Sequence, residues 1–282
     1  MKPPPIDRHH PTMDTDLATA IAVTRHSRGR AMALLGRWSA AAAVVLAACA
    51  AAPLPAGFTH AGSFQQMMHS GEVGGRVTLA ALATPPGTWG VGATAGLKGE
   101  LLVADGRMLV SPGTAADGAV RAPLPGEQAV LYAAATVKGW AEAAVPADMD
   151  QAAFEAFVAD QARQRGIDLA QPFVFQVQGS YPQLRWHVVT GEKPAAVGQG
   201  GSHGGHGAQV GHANAATGMK VFHNPGRSGL LVGIYSGAAL EGVVSHPGER
   251  FHVHYASADL GVSGHVDAYA VARGATLKLQ IR

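Results

Sequence analysis

Three histidines close to the end of the chain have the spacing of a metal site. His252 and His254 stand two residues apart within Gly248–Tyr255, and His265 follows after a gap long enough for a turn. Alternate side chains of an extended strand share a face, so His252 and His254 point the same way and a hairpin return brings His265 beside them. Three imidazoles that converge on a divalent metal ion leave at least one position open for water or substrate. The alternative of three unrelated surface residues stays open, because the chain contains 14 histidines.

The segments around these histidines resemble the α-acetolactate decarboxylase family. His252–Asp259, with the sequence HVHYASAD, and Ser263–Val266, with the sequence SGHV, are similar to the segment that carries the metal ligands in that family. Gly96–Gly106 resembles a second family block, Gly-Leu-x-Gly-Glu-Leu ending in Asp-Gly, and Phe64–Gly71 fits the opening segment more loosely. The resemblance therefore covers the greater part of the chain.

This resemblance implies an enzyme that decarboxylates 2-acetolactate, a 2-hydroxy-3-oxo acid, to acetoin and CO2. It also implies that His252, His254 and His265 hold a zinc ion, although imidazole ligands suit other divalent metals as well. A metal ion there acts as a Lewis acid on the enediolate charge left when CO2 departs, and a positioned acid then protonates the product. Glu100 matches the Glu of the family's Gly-Glu-Leu block, so we expect it to act as acid or base, or as the partner of a metal-bound water.

Two positions depart from the family pattern. The family's Arg aligns with His187, and Arg185, two residues earlier, shares the same strand face, so both are candidate catalytic residues. The family's late Glu has no counterpart, since Asp267 is the sole acidic residue after His265. Loss of a guanidinium that can hold a carboxylate through two hydrogen bonds is a substantial change. Decarboxylation therefore does not follow automatically from the resemblance.

Two other functions stay open for this reason. The chain could be an exported, lipid-anchored metal- or ligand-binding module that keeps the three-histidine site but lacks decarboxylase activity. Alternatively, His-x-His followed by an acidic residue and a later His also occurs in cupin-like oxygenases. Asp259 would then take the place of the cupin Glu, but the glycine spacing fits that class poorly.

The composition limits the classes of ligand. The chain has 282 residues, of which 47% are hydrophobic, and this is enough for a packed core. A formal charge of +2 with only 14% charged residues gives no basis for binding nucleic acid or an anionic membrane surface. We therefore expect a small-molecule substrate. The sequence does not determine the oligomeric state, and a homodimer stays open.

Residues 1–49 read as an export signal. A basic segment precedes the apolar run 40–48, which is too short to span a bilayer as a helix. The run ends in Leu-Ala-Ala-Cys49, which resembles the lipobox of bacterial lipoproteins, and Cys49 is the single cysteine. We predict a lipoprotein that is anchored through Cys49 and faces the periplasm or the cell exterior, followed by a tether at 50–62. A translation start at Met32 and an incidental cysteine stay open.

The remaining residues predict an α+β protein built of two β-rich halves with few helices. The halves are 63–147 and 148–282, and the resemblance implies mixed or antiparallel, barrel-like sheets packed together. Asp105-Gly106 predicts a tight hairpin turn whose first strand begins near Glu100.

Two further segments of the C-terminal half are assigned from local pattern. Apolar residues recur at helical spacing after Asp148 and Asp150, either of which can cap a helix, so we predict a helix at 150–165. The Gly/His-rich run at 198–217 cannot bury a core and is predicted to be a loop. Its histidines could load metal, but a tolerated insertion is an equally good interpretation.

Overall fold

The computed structural model describes residues 53–191 and 218–281, and these form two antiparallel sheets and two α-helices. The predicted α+β class with two β-rich halves is confirmed, and both sheets are open at their outer strands in these ranges. The predicted export signal and anchor at 1–49 and the Gly/His-rich run at 198–217 lie outside the described residues. Neither helix in the described ranges combines the length and apolar character needed to cross a membrane.

The first sheet is formed by the N-terminal part of the chain. Its elements are β1 (Phe58–Ala61), helix α1 (Phe64–Ser70), β2 (Val77–Thr78), β3 (Thr88–Thr94), β4 (Gly99–Ala104), β5 (Arg107–Pro112) and β6 (Gln128–Thr136), with short 3-10 turns at Leu79–Ala81 and Ala95–Leu97. The strands pair in the order β1-β6-β3-β4-β5, and β2 also pairs with β6. Asp105 and Gly106 adopt φ angles of 50° and 80° between β4 and β5, as the predicted hairpin turn requires.

The second sheet carries the C-terminal part of the chain. Its elements are β7 (Gly139–Ala144), β8 (Met149–Asp150), helix α2 (Gln151–Gln164), β9 (Phe173–Tyr181), β10 (Leu184–Val189), β11 (Met219–His223), β12 (Arg227–Tyr235), β13 (Phe251–Ala256), β14 (Ser263–Val271) and β15 (Thr276–Ile281). The strands pair in the order β11-β10-β14-β13-β12-β9-β15-β7, and β8 pairs with β14. Of the two predicted caps, Asp150 begins α2, because its side chain accepts a hydrogen bond of 2.8 Å from Ala153 N.

Two short strands near the predicted segment boundaries pair with strands from distant parts of the chain. Phe58–Ala61, predicted as the end of a tether, is strand β1, which pairs with β6 and buries Phe58. Gly139–Ala144, predicted in the N-terminal half, pairs with β15 in the second sheet. In both cases a short segment satisfies its backbone hydrogen bonds by extending a sheet edge. Such non-local pairing is not visible in a local sequence pattern.

The interface between the two sheets positions an acidic side chain. β3 and β4 pack against β10, β12 and β14, and an apolar cluster joins Val91 and Leu102 of the first sheet to Val232 and Ile234 of the second. Alternate residues of a strand share a face, so Glu100 lies on the same face of β4 as Leu102. The carboxylate of Glu100 is therefore directed between the sheets.

Candidate metal centre

Strands β13 and β14 bring the three predicted metal ligands together. His254 and His265 are Cα partners in the antiparallel ladder, and His252 lies two residues from His254 on the same face. One ring nitrogen from each histidine lies within 4.8 Å of the other two. The spacing and the hairpin return therefore produce the convergence that the sequence predicts.

Gly264 allows β10 to approach β14 beside the ligands. A Cβ at this position would overlap the backbone oxygen of His187 and the indole ring of Trp186, both in β10. The glycine that precedes His265 in the sequence therefore has a packing role. It allows His187 to stand directly across from His265 in the paired strands.

The tautomer of His252 is fixed by the backbone. Its Nδ1 lies 2.7 Å from the carbonyl oxygen of Val244, which can only accept, so Nδ1–H is the donor. The lone pair of a neutral His252 is then on Nε2, which lies 3.2 Å from Nε2 of His254. A backbone carbonyl that orients a metal-binding imidazole in this way is a common feature of metal sites.

Burial favours the neutral form of all three rings. It lowers the pKa of His252 to about 4, with the hydrogen bond to Val244 acting in the opposite direction. Burial also lowers the pKa of His254 and of His265 well below the ordinary value, and the charge of His187 lowers both further. Neutral imidazole is the form that binds a metal ion.

The residues present fit a divalent cation. Two nitrogens bound to one tetrahedral zinc ion at its usual bond length are separated by about 3.3 Å, close to the separation of the His252 and His254 nitrogens. Nδ1 of His254 and Nδ1 of His265 are buried without a hydrogen-bond partner in the described part of the chain. Buried polar atoms ordinarily have partners, so the hydrogen bonding of this cluster is incomplete within the described part of the chain. The Nε2 atoms of His252 and His254 are the pair whose separation suits one ion.

Glu100 reaches this cluster from the opposite sheet. Its Oε2 lies 3.8 Å from Nε2 of His254, and its Oε1 accepts a hydrogen bond of 3.2 Å from Val189 N. The residue is only 4% exposed, so it belongs to the interior of the protein although it stands at the start of a hairpin strand. Burial raises the pKa of Glu100 to about 7, although the charge of His187 and the bond from Val189 act against it. A carboxyl group of this kind carries a proton for part of the time at neutral pH.

His187 is paired with an acidic residue that the sequence analysis did not assign to the site. Nδ1 of His187 donates to Oδ1 of Asp267 at 2.7 Å, since a carboxylate only accepts. Burial lowers the pKa of His187, but the hydrogen bond to Asp267 and the charges of Glu100 and Asp267 outweigh it, so the pKa is raised. The signal that could have identified Asp267 is its position two residues after His265, on the same face of a strand.

A β-bulge accounts for the position of Asp267. Between β10 and β14, Trp186 pairs with Val266 and Arg185 pairs with Ala268, so the ladder passes over Asp267. A bulge places two residues opposite one and redirects side chains, often next to functional sites. Here the additional residue is the one that holds His187.

Arg185 occupies a different environment from His187. Its side chain is 40% exposed, and its Nε lies 3.8 Å from Oδ2 of Asp267. His187 lines a cavity next to the histidine cluster, whereas Arg185 does not line it. Of the two candidates for the place of the family's Arg, the structure brings His187 to the cluster and leaves Arg185 at its outer side.

The cluster opens into a cavity of about 420 Å³. The polar lining includes Glu100, His187, His252, His265 and Asp267. Ligand sites in proteins are typically clefts of about 300–1,000 Å³ with a few convergent polar groups, and this cavity has both features.

The cavity continues between two neighbouring strands. The first paired residues of β13 and β14 are His254 and His265. The next residues in the other direction, Val253 and Val266, are not paired with each other and line the cavity. Glu155 of α2 lines the same space. The ligand cluster therefore stands where two adjacent strands separate.

Comparison with solved structures identifies the fold. The chain is similar to an acetolactate decarboxylase from Bacillus subtilis subspecies spizizenii, with a TM-score of 0.59 and 16% identity over 80% of this chain and 86% of that one. It is equally similar to the α-acetolactate decarboxylase of Bacillus subtilis strain 168, with a TM-score of 0.58 and 16% identity over 79% and 86% of the two chains. A Staphylococcus aureus protein of unknown function, described as similar to α-acetolactate decarboxylase, gives a TM-score of 0.54 and 17% identity over 79% and 84%.

No protein-family model and no curated protein matches the sequence. The three solved structures are only 16–17% identical to this chain in sequence, so the similarity establishes the fold alone. The resemblance inferred from the sequence is confirmed at this level: the chain has the fold of the acetolactate decarboxylases.

Proposed function

We propose that this chain is a metal-dependent decarboxylase of a 2-hydroxy-3-oxo acid, with 2-acetolactate converted to acetoin and CO2 as the reference reaction. The observation that carries the proposal is the convergence of three neutral imidazoles with the buried carboxyl group of Glu100, 3.8 Å from His254, beside a cavity that His252, His265 and Glu100 line. The fold shared with acetolactate decarboxylases supports the same reaction class. The ligand set supports zinc, because three imidazoles with an open position form a common catalytic zinc site.

The reaction requires the electron pair of the broken C1–C2 bond to be stabilised. His252, His254 and His265 would hold a divalent ion, which would supply Lewis acidity toward the oxygens of the substrate. The electron pair moves from the C1–C2 bond toward the ketone, CO2 leaves, and C2 then takes up a proton. Glu100, whose pKa is raised to about 7 by burial, is placed to give that proton and to recover it from solvent.

His187 acts on the substrate through its second ring nitrogen in this proposal. Asp267 holds Nδ1 at 2.7 Å, so the ring is oriented before the substrate arrives, and Nε2 would be the atom that hydrogen-bonds the substrate. This arrangement takes the place of the guanidinium in the related family. His187, oriented by Asp267, would give the substrate one hydrogen bond, whereas an Arg can bind a carboxylate in a bidentate manner.

The direct test is acetoin formation from racemic acetolactate by the purified full chain, with zinc and after chelation. We expect product only with metal present, and a loss of about 10²- to 10⁴-fold in kcat for Glu100→Gln. Glu142→Gln, at an exposed position of β7, is the matched control and should retain activity. Stoichiometric zinc binding without any product would reject decarboxylation of acetolactate and favour a binding module on the same site.

We also propose export and lipid anchoring through Cys49, on the lipobox-like sequence alone. The full chain expressed in a bacterium should partition with the membrane fraction, and Cys49→Ser should release it into the soluble fraction. Equal partitioning of the two proteins would reject the anchor.

A further inference from the structure

The cavity beside the metal ligands has a continuous apolar side, which we call the apolar wall. It consists of Phe64, Met67, Ala93, Leu97 and Leu131, which pack together as one cluster and all line the cavity. Met67 and Ala93 are 9% and 8% exposed, and Leu131 is 2% exposed, so these side chains belong to the folded interior.

The apolar wall is fixed next to a metal ligand. The ring of Phe64 lies 6.2 Å from the ring of His252 in an edge-on arrangement. Phe64 N donates to the carbonyl of Val243 at 2.8 Å, and the carbonyl of Val244 accepts from His252 at 2.7 Å. The consecutive residues Val243 and Val244 therefore bind helix α1 and His252, respectively. This fixes the position of the apolar wall relative to the metal ligands.

Acetolactate uses little of this surface. The apolar parts of acetolactate are two methyl groups. The cavity, in contrast, has a volume of about 420 Å³, and its wall comprises five apolar side chains. With a small substrate bound, the exposed parts of Phe64 and Leu97, the half-buried members of the wall, would stay in contact with water. Apolar surface in a ligand site is favourable mainly when the ligand covers it.

We propose that the site takes 2-hydroxy-3-oxo acids whose acyl substituent is larger than methyl, an alkyl chain or an aryl ring, lying against the apolar wall. This inference rests on the proposed function and names its substrate class. Met67 is central to the wall because a flexible thioether adapts to groups of different shape. Each methylene of the substrate that is buried contributes about fourfold to binding.

The test compares kcat/KM of the zinc-loaded full chain for acetolactate and for homologues in which the ketone methyl is replaced by butyl or phenyl. We expect at least a tenfold higher kcat/KM for one of the larger substrates, since several buried methylenes exceed that factor. Met67→Ala should reduce this preference, while Met108→Ala, in a separate apolar cluster of the first sheet, should leave it unchanged. If Met67→Ala does not fold, Met67→Gln keeps the length and helix propensity of the side chain and tests the same loss of apolar contact.

The outcomes separate this inference from the proposed function. Turnover of acetolactate at least as efficient as that of the larger homologues would overturn the substrate class and leave the decarboxylase intact. If no substrate is turned over, calorimetry with reduced analogues decides the role of the wall, because a 3-hydroxy acid has no ketone to receive the electron pair and stays intact. Tighter binding of the butyl or phenyl analogue than of the methyl analogue would then support the inference, and equal binding would overturn it.

Discussion

Asp267 accepts a hydrogen bond of 2.7 Å from Nδ1 of His187, across a bulge in the ladder between β10 and β14. The two residues are 80 positions apart in the chain. In the proposed function, this pair would take the place of the arginine of the acetolactate decarboxylases.

Removal of this hydrogen bond should lower turnover without loss of the metal ion. For Asp267→Ala we expect a fall of about 10- to 100-fold in kcat, the usual effect of losing an orienting partner, and for Asp267→Asn a smaller fall because an amide oxygen still accepts. The measurement is kcat for acetolactate together with zinc content per chain. Asp148→Ala, which removes only a contact to the backbone of Arg273, is the control. Equal activity of Asp267→Ala and the parent would show that the pair does not orient His187 for catalysis.

The two candidates for the place of the family's Arg should differ sharply. His187→Ala should lose about 10² or more in kcat/KM, because His187 lines the cavity. Arg185→Ala should change it by less than about threefold, because an exposed ion pair contributes little. Steady-state kinetics of both variants decide the question, and a larger loss in Arg185→Ala would reverse the assignment.

Zinc binding should depend on the convergent histidines. For His254→Ala we expect zinc affinity to fall by more than about 100-fold, beyond the usual effect of changing an orienting partner. Metal analysis after dialysis against a competing chelator measures this. His60→Ala, on the exposed side of β1, should bind as the parent does. Unchanged zinc content in His254→Ala would place any bound metal elsewhere.

Substitution of Gly264 should loosen the sheet at the ligands. The added methyl group of Gly264→Ala would overlap the backbone of His187 and the ring of Trp186, and such overpacking costs about 1–3 kcal/mol in free energy of unfolding. Denaturant unfolding of this variant beside Gly74→Ala, where a Cβ meets nothing within 4 Å, gives the comparison. Equal stability of the two variants would mean that β10 can move away from β14 at little cost.

One ion pair far from the cavity should give the protein a pH-dependent contribution to stability. Arg121 holds Glu127 through two hydrogen bonds of 2.8 and 2.9 Å, and this interaction lowers the pKa of Glu127, with burial acting in the opposite direction. A lowered folded pKa means that the contribution is present above the unfolded value and is lost as pH falls through the folded one. Glu127→Gln should therefore cost about 1 kcal/mol in the free energy of unfolding at pH 7 and much less at pH 3. Chemical denaturation at both values tests this, and a cost that is independent of pH would point to packing instead.

The sequence was sufficient for features that depend on local spacing. His252 and His254 share a face because they are two residues apart in a strand, and Asp105-Gly106 turns the hairpin that carries Glu100. The features of the site that the sequence did not predict depend on which distant strands pair with each other. No local pattern indicates that β10 lies beside β14.

Two parts of the site were missed for that reason. The bulge that leaves Asp267 opposite no single residue exists only in the paired sheet. Likewise, the docking of Phe64 against His252 depends on backbone contacts of α1 with Gly242 and Val243, nearly two hundred residues later. A seven-residue helix has too little pattern of its own to predict where it packs.

The short ladder between β13 and β14 would give a metal ion bound by the three histidines a structural role in addition to the proposed chemical one. The strands are paired from His254–His265 onward, and the cavity separates them on the other side. An ion bound by His252 and His254 from one strand and His265 from the other would join the two strands through their side chains, on one face of the sheet beside the point where they separate. Metal binding would then stabilise the end of this ladder, so removal of the ion should weaken the pairing of β13 with β14.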